Sequence, residues 1–211
     1  MILYISSKQF GNQIDFLKNW IMKNNNRILL IANALDAKDE IKITNNIEND
    51  KKILKEIGFE VTVVDLKDYF NNQERLLKDF ALYNAFCVIG GNVFILRQAM
   101  KLSGFDNYLK KISKKDNYLY IGYSAGSCVL GSELRIFNKV DDPISFYLKD
   151  NVIYEGLGLI NYTVIPHYKS DYHKVHLIDD LVKRCINEEI KFKTLKDGEV
   201  IIENIEKGNE V

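Results

Sequence analysis

The feature that most constrains this chain is the repeated handover from a short apolar run to a segment with helical spacing. Residues 1–6 are one such run, and residues 15–22 then place Phe16, Leu17, Trp20 and Ile21 at helical intervals. Residues 27–34, RILLIANA, are almost continuously apolar, the pattern of a strand buried on both faces. The polar stretch 37–57 carries Ile41, Ile47, Ile53, Leu54 and Ile57, which predict a helix at least in its second half, with Gly58 as its stop. Further strands are expected at 60–66, 86–89, 118–123 and 161–165, and further helices at 72–83, 93–102, 107–113, 125–131 and 171–187. The tail reads as two short strands, 191–195 and 199–202, around the turn signal Asp197-Gly198. Strand–helix alternation at this pace predicts a mostly parallel sheet with helices on both faces. With 211 residues and no repeat or linker, it is expected to form a single α/β domain over 1–211.

Composition narrows the function classes. Lys and Arg together number 29, and Asp and Glu also number 29, so the basic surplus of a nucleic-acid or anionic-membrane binder is missing. No apolar run reaches the roughly 18 residues of a membrane span. The opening MILYISSKQFGN lacks the basic stretch and small-residue cleavage site of a signal peptide and reads as a first strand. Cys87, Cys128 and Cys185 are far apart and unpaired in spacing, so neither a disulfide framework nor a zinc knuckle is expected. Reduced thiols in a cytoplasmic protein account for them most simply.

Function in open α/β sheets gathers at the carboxyl ends of strands, so the residues following each strand carry the argument. Gly122-Tyr123-Ser124-Ala125-Gly126 lies directly after one predicted strand and before a helix of small residues. This is G-x-S-x-G in its required strand–turn–helix setting. A turn this sharp needs flanking positions without side chains, and it lifts the central hydroxyl above the sheet at a helix N-terminus. Ser124 is then a candidate nucleophile, and the Ala125 amide a candidate oxyanion donor. The plainer alternative is an ordinary glycine-rich turn. Gly90-Gly91-Asn92 closes another strand, where the glycines can bare a backbone N–H to a ligand and complete the oxyanion hole with Ala125. Otherwise it is a tight turn with Asn92 as a helix cap.

Of the three histidines, His173 and His176 fall in or near a polar helix. His167, in Ile165-Pro166-His167-Tyr168, alone ends a strand, where a base can approach Ser124. A carboxylate must orient that imidazole. Asp141 and Asp142, just before Pro143, stand between serine and histidine in the chain, while Asp171, Asp179 and Asp180 follow the histidine as rivals. The Asp141-Asp142 pair also reads as a polar turn.

Taken in order, the strand–Gly-Gly-Asn–helix, the Gly122–Gly126 elbow, and Gly156-Leu157-Gly158-Leu159 leading into Pro166-His167-Tyr168 resemble the dipeptidase E (α-aspartyl dipeptidase) family of serine peptidases, which also includes cyanophycinase-type enzymes. The resemblance implies a three-layer αβα fold like that of class I glutamine amidotransferases, with serine in place of cysteine. It implies Ser124 as nucleophile, His167 as general base, Gly91 and Ala125 as oxyanion donors, and Asp141 as the best match to the acid of the triad. Asn92 is expected to touch substrate. Lys174 and Arg135 are candidates for the cation that would select an N-terminal aspartate.

The function so implied is hydrolysis of short peptides through an acyl-enzyme. The alternatives are a hydrolase acting on another ester or amide, and a peptide-binding relative without turnover. A glutamine amidotransferase is disfavoured because Ser124 stands where a thiolate is needed. The sequence indicates no metal and no organic cofactor: it has neither clustered His/Cys ligands nor a phosphate-cradling glycine loop. The expected partner is a small peptide, not nucleic acid or membrane, and the assembly to test is a homodimer.

Overall fold

The apolar runs become strands because their alternate residues find two separate cores. A computed structural model describes residues 1–149 and 151–205. The strands β1 (Ile2–Ser6), β2 (Arg27–Ile31), β3 (Glu60–Val64), β4 (Ala85–Val88) and β5 (Leu119–Tyr123) run parallel in one sheet. Two further strands, β6 (Thr163–Ile165) and β7 (Phe192–Thr194), pair in parallel as a separate small sheet. The last, β8 (Val200–Asn204), joins the large sheet antiparallel to β1, giving the order β3-β2-β4-β5-β1-β8.

Leu3, Ile5, Leu29, Ile31, Phe86, Val88 and Tyr120 face one core, and Tyr4, Ile28, Leu30, Cys87, Leu119 and Ile121 face the other. Helices α1 (Ile14–Lys23) and α2 (Glu40–Ile57) cover the second face with Leu17, Trp20, Leu54 and Ile57. The first face is covered by α3 (Gln73–Phe80), α4 (Val93–Ser103), α5 (Phe105–Ile112) and α7 (Val175–Asn187), while the short α6 (Ala125–Cys128) packs beside them. The result is the expected three-layer αβα arrangement around a mostly parallel sheet. Among the described residues no helix is long and apolar enough to cross a membrane.

The departures from expectation have local causes. The polar first half of the 37–57 stretch is helical from Glu40, because the Asp39 carboxylate accepts from the Lys42 amide at 2.9 Å and caps it. Gly58 closes α2 in the left-handed region with φ 120°, as its glycine permits. The strand over 27–34 stops at Ile31, since the Asn33 side chain instead accepts from the Leu66 amide at 3.0 Å and holds a 3₁₀ turn, Asn33–Leu35. The helix after the elbow ends at Cys128, not 131, because the carbonyls of Val129, Leu130 and Gly131 accept from the amides of Leu157, Leu159 and Gly158 at 2.8–2.9 Å. The tail strands do not form a hairpin: β7 pairs with β6 and β8 with β1, so the Asp197-Gly198 turn carries the chain from one sheet to the other.

Candidate active site

Ser124 sits at the end of β5 with φ 50° and ψ −116°, a conformation few non-glycine residues hold. Its neighbours enforce it. A Cβ on Gly122 would run into the carbonyl of Gly126, and one on Gly126 into the carbonyl of Val88, so both positions must be bare. The Ser124 amide is shared by the carbonyls of Ser6 and Ser7, and the Ser127 hydroxyl donates to Ser6 and Gly122 carbonyls at 2.8 Å. The elbow is thus bonded to the end of β1 from two sides.

His167 follows β6 and is also in the left-handed region, with φ 62°. Its Nε2 lies 3.1 Å from Ser124 Oγ, and its Nδ1 lies 2.7 Å from Asp197 Oδ1. The structure therefore brings together the serine and histidine singled out in the sequence, and the carboxylate it places at the imidazole is Asp197, not Asp141. Asp141 is not at the imidazole. Its Oδ2 accepts from the Val93 amide at 2.9 Å at the start of α4, and burial, opposed by that amide, pushes its carboxyl above the ordinary range. Asp142 accepts at its backbone carbonyl from the Asn92 side chain, and Asp171, Asp179 and Asp180 are exposed. Asp197 carried a weak signal all the same: like His167, it stands just beyond the end of an expected strand. Its Asp-Gly spelling led instead to a turn.

A second residue that sequence reasoning passed over is Ser7, fully buried at the end of β1. Its hydroxyl donates to Asp197 Oδ1 at 2.8 Å and accepts from the His167 amide at 2.8 Å, binding acid and base backbone together. The Asp197 amide donates to Ser170 Oγ at 2.7 Å, and Lys8 Nζ lies 3.8 Å from Asp197 Oδ2. Tyr172 stacks on the imidazole with centroids 4.2 Å apart and planes 15° apart, and the helix expected from 171 begins at Val175. Burial holds the His167 pKa below its usual 6.5, partly offset by the hydrogen bond and charge of Asp197. The imidazole is accordingly neutral near pH 7, as a proton acceptor must be.

Gly90 and Gly91 lie against the elbow. A Cβ on Gly90 would stand 2.9 Å from Ser124 Cβ, and one on Gly91, whose φ is 150°, would collide with the Ala34 carbonyl. Among the described residues no backbone carbonyl accepts from the amides of Gly91 or Ala125, so both remain open to an incoming oxygen. Asn92, expected at the substrate, has its side chain committed elsewhere. Its Oδ1 caps α4 through the amides of Phe94 and Ile95 at 2.9 and 3.1 Å, and its Nδ2 donates to the Asp142 carbonyl at 2.8 Å. The two candidate selectivity cations are likewise engaged with the protein: Arg135 lies over the Tyr154 ring at 4.4 Å, and Lys174 donates to the Val140 carbonyl at 2.5 Å. Burial raises the Cys128 thiol, whose Sγ points at the Val164 carbonyl 3.6 Å away, so it is no thiolate. Among the described residues no group of three or more His, Cys, Asp or Glu is placed to hold a metal ion.

Fold and site together define an α/β protein of the hydrolase kind, with a strained serine at a strand-to-helix elbow and an imidazole beside it. The sequence model of peptidase family S51 matches residues 2–207, so the chain belongs to that family, the dipeptidase E family, and is a serine-type peptidase. Solved structures that share the fold include two peptidases. One, "Putative Peptidase E Protein" from Listeria monocytogenes EGD-e, is 21% identical with a TM-score of 0.75, over 96% of this chain and 98% of that one. The other, a peptidase from an acI-B1 Actinobacterium, is 15% identical with a TM-score of 0.67, over 100% of this chain and 92% of that one. The comparison with curated proteins finds no match.

Proposed function

We propose that this chain hydrolyses short peptides through an acyl-enzyme, with Ser124, His167 and Asp197 as its triad. The observation that carries the reading is the single file of atoms Ser124 Oγ, His167 Nε2, His167 Nδ1 and Asp197 Oδ1, with contacts of 3.1 and 2.7 Å. His167 Nε2 takes the Ser124 proton as Oγ bonds to the scissile carbonyl carbon, and the carbonyl oxygen gains the negative charge. The Gly91 and Ala125 amides donate to that oxygen. The imidazolium, held by Asp197, then protonates the departing amine as the C–N bond breaks. Water deprotonated by the same imidazole releases the acid and restores Ser124.

The test is labelling with an aryl fluorophosphonate, followed by a panel of dipeptides and p-nitrophenyl esters. Wild type is expected to label and Ser124→Ala is not, and loss of an oxyanion donor lowers peptide turnover by about 100-fold or more. Equal labelling of the two proteins would remove Ser124 as nucleophile. Ester turnover without peptide cleavage would move the substrate class away from peptides.

A further inference from the structure

The machinery above leaves unused a buried acid that has no cation beside it. Asp50, midway along α2, is 1% exposed, on the far side of the large sheet from the Ser124 hydroxyl. Among the described residues it forms no ion pair within 4 Å. Its Oδ2 instead accepts from the hydroxyl of Tyr123 at 2.5 Å. A lone buried carboxylate works against stability unless something else retains it, and an apolar side chain here would pack without that penalty.

Tyr123 is the residue immediately before the nucleophile. Its ring packs on the other glycine strand of the site: a Cβ on Gly90 would stand 3.0 Å from Tyr123 Cε2 and 2.9 Å from Ser124 Cβ. Phe10 closes the outer edge of the ring, with centroids 6.3 Å apart. The residue after Gly90 carries the amide assigned to the oxyanion. The ring therefore stands between the β5 elbow and the segment leaving β4, and Asp50 sets where its hydroxyl points.

We propose that Asp50, acting through Tyr123, is a positioning residue that holds Gly90 and Gly91 against Ser124, so that the Gly91 amide meets the developing oxyanion. This deepens, and rests on, the serine-peptidase reading of the same site. The groups facing Asp50 from the packed elements are Tyr123 at the end of β5, Cys87 of β4 and Gln9 of the segment after β1. None is a cation. Burial, opposed by the Tyr123 hydrogen bond and the nearby Gln9 side chain, raises the Asp50 carboxyl to about 6, in keeping with a charge kept against its own solvation.

The test follows fluorophosphonate labelling under saturating probe, separating the maximal rate from the probe's half-saturating concentration. Tyr123→Phe keeps the ring and removes the hydroxyl. It is expected to lower the maximal labelling rate about tenfold while half-saturation stays within twofold, because a misplaced donor acts on the transition state. Asp50→Leu with Tyr123→Phe removes both polar partners. It is expected to melt no lower than wild type and to be slowed as much as Tyr123→Phe alone, since the two act as one unit. Asp50→Asn keeps an acceptor for the phenol and is expected to recover most of the rate. Wild-type labelling by the double variant overturns the proposal, as does a slowing that appears only with a matching loss of melting temperature. Labelling that persists in Ser124→Ala would instead defeat the serine reading itself, so the two failures are distinct.

Discussion

At the scale of single residues, the chemistry depends on which carboxylate stands at His167 Nδ1. Asp197 does, at 2.7 Å, and its charge raises an imidazole pKa that burial lowers. Replacing it by Asn removes the raising contribution, so the acid limb of kcat/KM is expected to move to lower pH while kcat falls by roughly 10²- to 10⁴-fold. Asp141→Asn keeps an acceptor for the Val93 amide and has no bond to the imidazole, so its acid limb is expected to stay at the wild-type pH. A pH–rate profile of the two variants separates them, and a shift in Asp141→Asn alone would restore the sequence-based assignment. Ser7→Ala frees both Asp197 and the His167 backbone, and a slower labelling rate is expected from it too.

Among the elements, the strand-to-helix elbow was legible because it is local. Gly122, Ser124 and Gly126 are a spelling of one sharp turn, and sterics between adjacent backbones demand it. Gly126→Val should break it: the new side chain meets the Val88 carbonyl of β4, and labelling by fluorophosphonate is expected to vanish with a lowered melting temperature. The pairing of β7 and β8 was not legible. Both are short, half-exposed and joined by Asp-Gly, so local chemistry favoured a hairpin. Their real partners are β6, on the other side of α7, and β1, the first strand, and burial of the inner faces selects them.

Over the whole molecule, stability resides in the two cores that sandwich the large sheet. Phe86, fully buried in the central strand β4, touches the rings of Phe80, Phe105, Tyr108 and Tyr118. Phe86→Ala is expected to cost about 3–5 kcal/mol in denaturant unfolding, because such a cluster cannot collapse into the space. His167 adds a pH dependence of known sign. Its pKa in the folded chain lies below the unfolded 6.5, so its share of stability is present above that value and declines as pH falls through the folded pKa. Melting curves from pH 8 to pH 5 should therefore fall less steeply for His167→Gln than for wild type. Asp50 and Asp141, with raised pKa values, act in the opposite direction in both proteins.

The sequence by itself determined the layered α/β architecture and the bare glycines of the elbow, and it singled out Ser124 and His167, because each is written in neighbouring residues through periodicity and backbone sterics. Tertiary structure alone decided which carboxylate stands at the imidazole. Asp197 reaches His167 only because the chain leaves one sheet at β7 and enters another at β8, with Ser7, just past β1, bonded to both. That meeting joins residues 190 positions apart, and no local preference encodes it.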